Sequence, residues 1–126
     1  MLAHVSIGVR DLDRAKQFYE AALLPLGYRC IRAARSLSGW GFGRDEIGFW
    51  LIEAERPVPP DDKSALHFCF AAPDEAAVDA FHAAAISAGG KDNGAPGPRS
   101  KYGPDYYAAF VIDPEGYRIE AFHGRE

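Results

Sequence analysis

Three residues have side chains that could do chemistry together: His4, His67 and Glu120. Each lies in a short stretch that alternates like a strand. His4, Ser6 and Gly8 share one side of residues 4–9, with Val5, Ile7 and Val9 opposite. His67, Cys69 and Ala71 share one side of 66–71, with Phe68 and Phe70 opposite, and Glu120 shares its side of 117–122 with Arg118 and Phe122. Two neutral imidazoles and one carboxylate on three rigid strands form a facial triad. That donor set suits one divalent first-row ion (Fe, Mn, Ni, Zn or Co) and leaves coordination positions open. Taken singly, a strand histidine is usually structural or solvated, and a glutamate near a C-terminus is usually a solvated charge.

An internal repeat lifts the two histidines above that background. Displaced by 63 residues (67 minus 4), the sequence falls on itself: His4 on His67, Asp11 on Asp74, Phe18 on Phe81, Ala22 on Ala85 and Gly27 on Gly90. Self-similarity at a fixed offset points to duplicated supersecondary units. The two histidines therefore occupy equivalent places in the two units.

The elements that must position them follow from the pattern. In the first unit a strand over 4–9 leads to a helix capped by Asp11. Leu12, Ala15, Phe18, Tyr19, Ala22, Leu23 and Leu26 form its apolar face, and Pro25 and Gly27 end it. Strands are expected over 28–34, 39–44 and 47–54. Residues 55–64 (ERPVPPDDKS) form a linker stiffened by three prolines. The second unit repeats the order, with a strand over 66–71 and a helix from about Asp74 to Ala88. That helix turns Ala77, Val78, Phe81, Ala85 and Ile86 to the core and stops at Gly89-Gly90. Lys91 to Pro104 is rich in Gly, Pro and charge and is expected to be a long loop. Strands follow over 106–112 and 117–122, joined by the turn Asp113-Pro114-Glu115-Gly116. The expected fold is α+β: two tandem βαβββ modules forming a curved, cup-shaped mixed sheet with helices outside. The modules span about 1–54 and 65–126 of a single domain over 1–126.

Composition narrows the function classes. The chain has 126 residues, enough for one domain with a real core, and 48% hydrophobic and 25% charged residues, an ordinary globular balance. A net charge of −4 gives no basic footprint for nucleic acid and no polybasic membrane patch. No stretch reaches the roughly 20 apolar residues that cross a bilayer. The opening MLAHVSIGVRD lacks the charged leader and cleavage site of a signal peptide. Cys30 and Cys69 have no CxxC spacing and read as reduced thiols. The expectation is a cytoplasmic protein acting on a small molecule, with no nucleic-acid or membrane partner.

The stretches HVSIGVRDLDRAKQFYEAAL, HFCFAAPDEAAVDAFHAA and FVIDPEGYRIEAF resemble the vicinal oxygen chelate superfamily, which includes glyoxalase I, extradiol dioxygenases, fosfomycin-resistance transferases and bleomycin-resistance proteins. The resemblance covers nearly the whole chain. It implies paired βαβββ modules around a metal-holding cup, a homodimer, and His4, His67 and Glu120 at three of four ligand positions. It leaves open whether modules pair within a chain or between chains. If they exchange, His4 of one chain would join His67 and Glu120 of the other. The fourth position falls within GFWLIEAE, and aligning the units by different landmarks puts Glu53, Ile52 or Leu51 there; an apolar occupant is favoured. Four ligands with two carboxylates would imply a glyoxalase I-like lyase or isomerase. Three would look like the dioxygenases and transferases. Members that lack the metal residues only bind a drug. The resemblance implies a metal-dependent enzyme on a small substrate with vicinal oxygens, of glyoxalase I-like lyase or isomerase type, with an extradiol-type ring-cleaving dioxygenase and a non-catalytic drug-binding protein as alternatives.

Other pocket candidates come from the residues themselves. The loop from Arg99 to Tyr107 carries two cations and three tyrosines ahead of a core strand. Arg99 and Lys101 could hold a carboxylate or phosphate. Tyr102 could line the site and Tyr107 could act as an acid beside Glu120. Each is as readily a surface residue packed on the loop. Trp50 and Trp40 could line the cup or fill the core. His82 reads as structural, and His123, on the opposite parity from Glu120, is not a ligand. The loops over Ser36–Trp40 and 91–104 are expected to set the size of the cup.

Overall fold

The computed structural model describes residues 1–33 and 38–125. Ala34, the expected end of a strand, Ser36 and Leu37 in the expected rim loop, and Glu126 lie outside the described residues.

The first module runs β1 (Val5–Val9), α1 (Leu12–Leu23), a 3-10 turn (Leu24–Leu26), β2 (Arg29–Ala33), β3 (Gly39–Gly43) and β4 (Ile47–Glu53). The second runs β5 (His67–Ala71), α2 (Glu75–Ser87), β6 (Lys91–Pro98), β7 (Tyr107–Ile112) and β8 (Arg118–His123). The strand orders are β1-β4-β3-β2 and β5-β8-β7-β6. In each sheet the first strand runs parallel to the last, and the other pairs are antiparallel. These are two mixed four-stranded sheets of one topology, as the repeat predicts. β1 and β5 are edge strands of separate sheets.

Local signals explain the helix limits. Asp11 accepts a hydrogen bond from the Arg14 amide at 3.0 Å, and Asp74 accepts one from the Ala77 amide at 2.7 Å. Each cap satisfies a donor that the first helical turn would otherwise leave orphaned. At the other ends Gly27 (φ 83°) and Gly89 (φ 101°) adopt left-handed backbone, where a side chain would be strained.

Both helices cover one face of their own sheets, and the covered faces share a single apolar cluster. From module 1 it includes Ile7, Val9, Phe18, Tyr19, Phe42, Phe49 and Leu51; from module 2, Val78, Phe81, Val111, Ile119 and Ala121. The equivalent Phe18 and Phe81 are fully buried. Burial of such a side chain is worth about 1.5–3 kcal/mol. α1 and α2 pack together, so the modules join through their helix sides. The other face of each sheet is left open, and Ser6, Gly48, His67 and Cys69 on it are exposed.

A polar clamp reinforces the join. The Glu115 carboxylate, in the β7–β8 turn, accepts from the amides of Arg10 (2.6 Å) and Asp11 (2.9 Å) at the start of α1. Asp113, in the same turn, accepts from the Tyr19 hydroxyl at 2.6 Å and from the amides of Glu115 and Tyr117. Burial raises the Asp113 carboxyl from its ordinary value, and burial beside Asp113 pushes the Tyr19 phenol well up. The Tyr117 hydroxyl donates to the Gly8 carbonyl at 2.7 Å.

Two expectations are corrected. Residues 91–98 are a strand, not loop. β6 is an edge strand whose pairing with β7 shifts register between Asp92 and Gly94 and again between Gly94 and Gly97. Edge position and irregular register are what allow Pro96 and Pro98 into a strand. Ile86 is 39% exposed rather than core, because the buried stripe of α2 follows Val78, Phe81 and Ala85.

Candidate metal centre

The open face of module 2 carries the most chemistry. β5 and β8 run parallel, with His67 opposite Arg118 and Cys69 opposite Glu120. Phe110 of β7 lies opposite Glu120 on its other side. Alternation sends all five side chains to the face away from α2. They line a pocket of about 560 Å³ together with Tyr102 and Tyr106.

Glu120 forms its floor and is only 3% exposed. Its Oε1 accepts from the Tyr106 hydroxyl at 2.6 Å, and its Oε2 lies 3.3 Å from Nε2 of His67. The His67 side chain is 53% exposed, so it stands at the mouth. Tyr106 is held by ring contacts with Phe122 (centroids 4.1 Å apart) and Tyr102 (5.3 Å). A carboxylate with one oxygen fixed by a phenol and the other beside an imidazole nitrogen presents adjacent O and N donors. Both fit a borderline divalent ion, and the phenol is the kind of outer partner that orients such a ligand. Among the described residues of one chain no group of three His, Cys, Asp or Glu side chains is placed to hold a metal ion. His4 precedes β1, is exposed, and does not join His67 and Glu120 within the chain.

The other expected site residues divide. Tyr102 lines the pocket and is 50% exposed. Tyr107 does not face Glu120: its hydroxyl donates to Asp79 of α2 at 2.7 Å, which raises its pKa. Tyr107 shares parity with the buried Ala109 and Val111, so the tyrosine beside Glu120 is its neighbour, Tyr106. Arg99 is occupied by its own segment, donating to the carbonyls of Ala95 (2.6 Å) and Gly97 (2.9 Å). Lys101 is exposed, with Nζ 4.9 Å from the Tyr102 ring centroid. His82 bonds Asp92 at 2.9 Å, as a structural residue would. His123 faces the Ala72 carbonyl at 3.1 Å, away from Glu120.

Register settles the counterpart of Glu120 in module 1. Ser6 pairs with Trp50 as Cys69 pairs with Glu120. The equivalent position is therefore Trp50, half-buried on the open face, and not Glu53, Ile52 or Leu51. Leu51 is fully buried on the helix side, and Glu53 is an exposed residue ending β4. Trp40 also belongs to the helix side, opposite Leu51, with Lys16 Nζ 4.3 Å from its ring centroid. Sequence reading missed Tyr106 and Arg118 as pocket residues. Arg118 was findable, two residues from Glu120 on one strand. Tyr106 depended on knowing where β7 begins.

Comparison with known proteins bears on the whole arrangement. The family model described as the glyoxalase/bleomycin resistance protein/dioxygenase superfamily matches residues 1–121. No curated protein matches the chain significantly. Among solved structures, a glyoxalase/bleomycin resistance protein from Albidiferax ferrireducens is 32% identical over 99% of both chains, with a TM-score of 0.83. The fosfomycin resistance protein FosX from Mesorhizobium loti shares the fold at 21% identity, covering 99% of this chain and 92% of its own, with a TM-score of 0.70. A glyoxalase/bleomycin resistance/dioxygenase domain from Frankia aligns at 20% identity, 99% and 98% coverage and a TM-score of 0.72. Duplicated modules, a match over nearly the full length and a relative similar from end to end agree: the chain belongs to the glyoxalase/bleomycin resistance protein/dioxygenase superfamily.

Proposed function

We propose that the chain is a metal-dependent enzyme acting on a small substrate with neighbouring oxygen atoms, and that it works as a homodimer. The carrying observation is the His67–Glu120 pair, 3.3 Å apart, with Glu120 pinned from behind by Tyr106. His67 and Glu120 would hold the ion, with His4 of a second copy as third ligand. Three features support the exchange: His4 is exposed, it is absent from the site of its own chain, and the open face of each module is uncovered. A bound divalent ion supplies Lewis acidity, polarising two adjacent substrate oxygens. The residues of the chain do the rest. Tyr106 fixes the orientation of Glu120, His67 guards the mouth, and Phe110 and Tyr102 provide an apolar wall that limits water.

Trp50 at the place of a second carboxylate ranks the reactions. A glyoxalase I-like isomerisation that passes a proton between two carboxylates lacks one of them. A lyase or addition reaction, or an extradiol-type ring cleavage, needs only open positions beside three ligands. A drug-binding role without catalysis has no use for a buried carboxylate held beside an imidazole.

The test is metal content of untagged protein by mass spectrometry, for the parent, His4→Ala, His67→Ala and a co-refolded mixture of the two variants. Near-stoichiometric metal in the parent, loss in each variant and partial recovery in the mixture are expected. Mixed dimers restore one complete site only if the ligands come from different chains. No metal in the parent after incubation with divalent ions overturns the enzyme reading; no recovery on mixing overturns the exchange.

A further inference from the structure

The cations near the pocket differ in what already occupies them. The Arg99 guanidinium binds carbonyl oxygens of its own strand, and Lys101 lies outside on the Tyr102 ring. Arg118 is different. It sits opposite His67 in the β5–β8 pairing, two residues before Glu120, and lines the same pocket. It is half-buried, and its guanidinium makes no hydrogen bond or ion pair among the described residues. A guanidinium desolvated in part and left unpaired has a strong claim on an incoming anion, which it can grip through two parallel N–H donors.

The charge balance points the same way. The ionisable groups that line the pocket are Glu120, His67, Cys69, Arg118 and the two tyrosines. Glu120 brings one negative charge and Arg118 one positive charge to it. A divalent ion on His67 and Glu120 would leave an excess of positive charge in a partly buried recess, where attraction is stronger than between fully solvated groups. Asn93, also on the wall, adds an uncharged amide that can donate to a second oxygen.

We infer that the substrate is an oxyanion-bearing small molecule, a carboxylate or phosphonate next to a hydroxyl or carbonyl oxygen, and that Arg118 is the residue that selects its charge. This rests on the metal-site reading above and deepens it by naming the substrate class. The role given to Arg99 and Lys101 by sequence passes to a residue on the strand that carries Glu120. Its side chain is therefore set by strand register rather than by a loop.

Matched ligands separate charge from shape. Glycolate carries the anion, hydroxymethylphosphonate carries the phosphonate form, and glycolamide is the neutral counterpart of glycolate. Their binding to metal-loaded parent, Arg118→Gln and Arg118→Lys is measured by ligand-observed NMR titration, with metal content followed in the same samples. The parent is expected to prefer at least one anion over glycolamide by ten-fold or more. Arg118→Gln is expected to lose that preference at unchanged metal content, and Arg118→Lys to keep part of it. Preference for glycolate identifies a carboxylate substrate, and preference for hydroxymethylphosphonate a phosphonate or phosphate. Equal anion binding by parent and Arg118→Gln, or no preference in the parent, overturns the inference while leaving a metal-loaded site intact. If the parent holds no metal yet binds an anion through Arg118, the metal reading fails and the anion pocket stands.

Discussion

Modules 1 and 2 use the same open-face positions for different residues. Across β5 and β8, Cys69 pairs with Glu120; across β1 and β4, Ser6 pairs with Trp50. In module 2 the first-strand histidine lies beside the carboxylate, whereas in module 1 His4 stands just ahead of β1 with an indole at the corresponding place. On the helix side the modules agree: Asp11 and Asp74 both cap, and Phe18 and Phe81 are both fully buried. Duplicated units must keep the face that buries apolar area, since stability depends on it. The open face is free to diverge, so a second chemistry-bearing copy is not required.

Breaking the agreement should have the largest effect. Phe18→Ala and Phe81→Ala each remove a fully buried ring from the shared cluster. Each is expected to cost about 3–5 kcal/mol in urea unfolding. A loss in one module but not the other would show that the cores are not equivalent. The two unfolding transitions should each remain single, because one cluster spans both modules.

The difference between the faces is sharpened by two adjacent tyrosines. Tyr106→Phe removes the donor to a buried Glu120 oxygen and is expected to cost about 1–3 kcal/mol. Tyr107→Phe removes an exposed bond to Asp79 and is expected to change stability by less than about 0.5 kcal/mol. Equal costs for the two, measured by the same unfolding, would contradict the placement of Glu120 on the pocket floor.

A pH-dependent effect is expected at the join. The carboxyl of Asp113 is raised by burial, so the native state holds its proton more tightly than the unfolded chain does. Its contribution is fully present below the ordinary carboxylate pKa and is lost as pH rises through the raised value. Asp113→Asn stays neutral and keeps an oxygen to accept from the Glu115 and Tyr117 amides. Unfolding measured from pH 3 to pH 7 should therefore fall less steeply with pH in the variant. Each unit of pKa difference is worth about 1.4 kcal/mol. A variant that tracks the parent across that range would show that burial does not govern this carboxyl.

Much of the fold is legible in the sequence, for definite reasons. The repeat, the Asp11 cap, the terminal glycines and the period of each apolar face predict the order of elements, because these are local rules acting within a few residues. The β6 strand was not legible, since its Pro and Gly content obeys the rule for loops. Only its edge position and irregular pairing with β7 make it a strand. The sequence offers Tyr107 where the structure has Tyr106, because which tyrosine faces the carboxylate depends on one residue of phase. A one-residue slip moves every side chain of a strand to the other face.

Sequence by itself therefore determined the two modules, their helices, and the placing of His67 and Glu120 on strands of one unit. Spacing along the chain and apolar periodicity carry that information. Tertiary structure alone decided which side chains meet. Strand register set Trp50 opposite Ser6 and Arg118 beside His67. Helix packing turned the open faces outward and left His4 away from the site of its own chain. Register and packing are long-range: they are settled by contacts between residues 40 to 110 positions apart, such as Tyr117 with Gly8. No local pattern encodes such a contact.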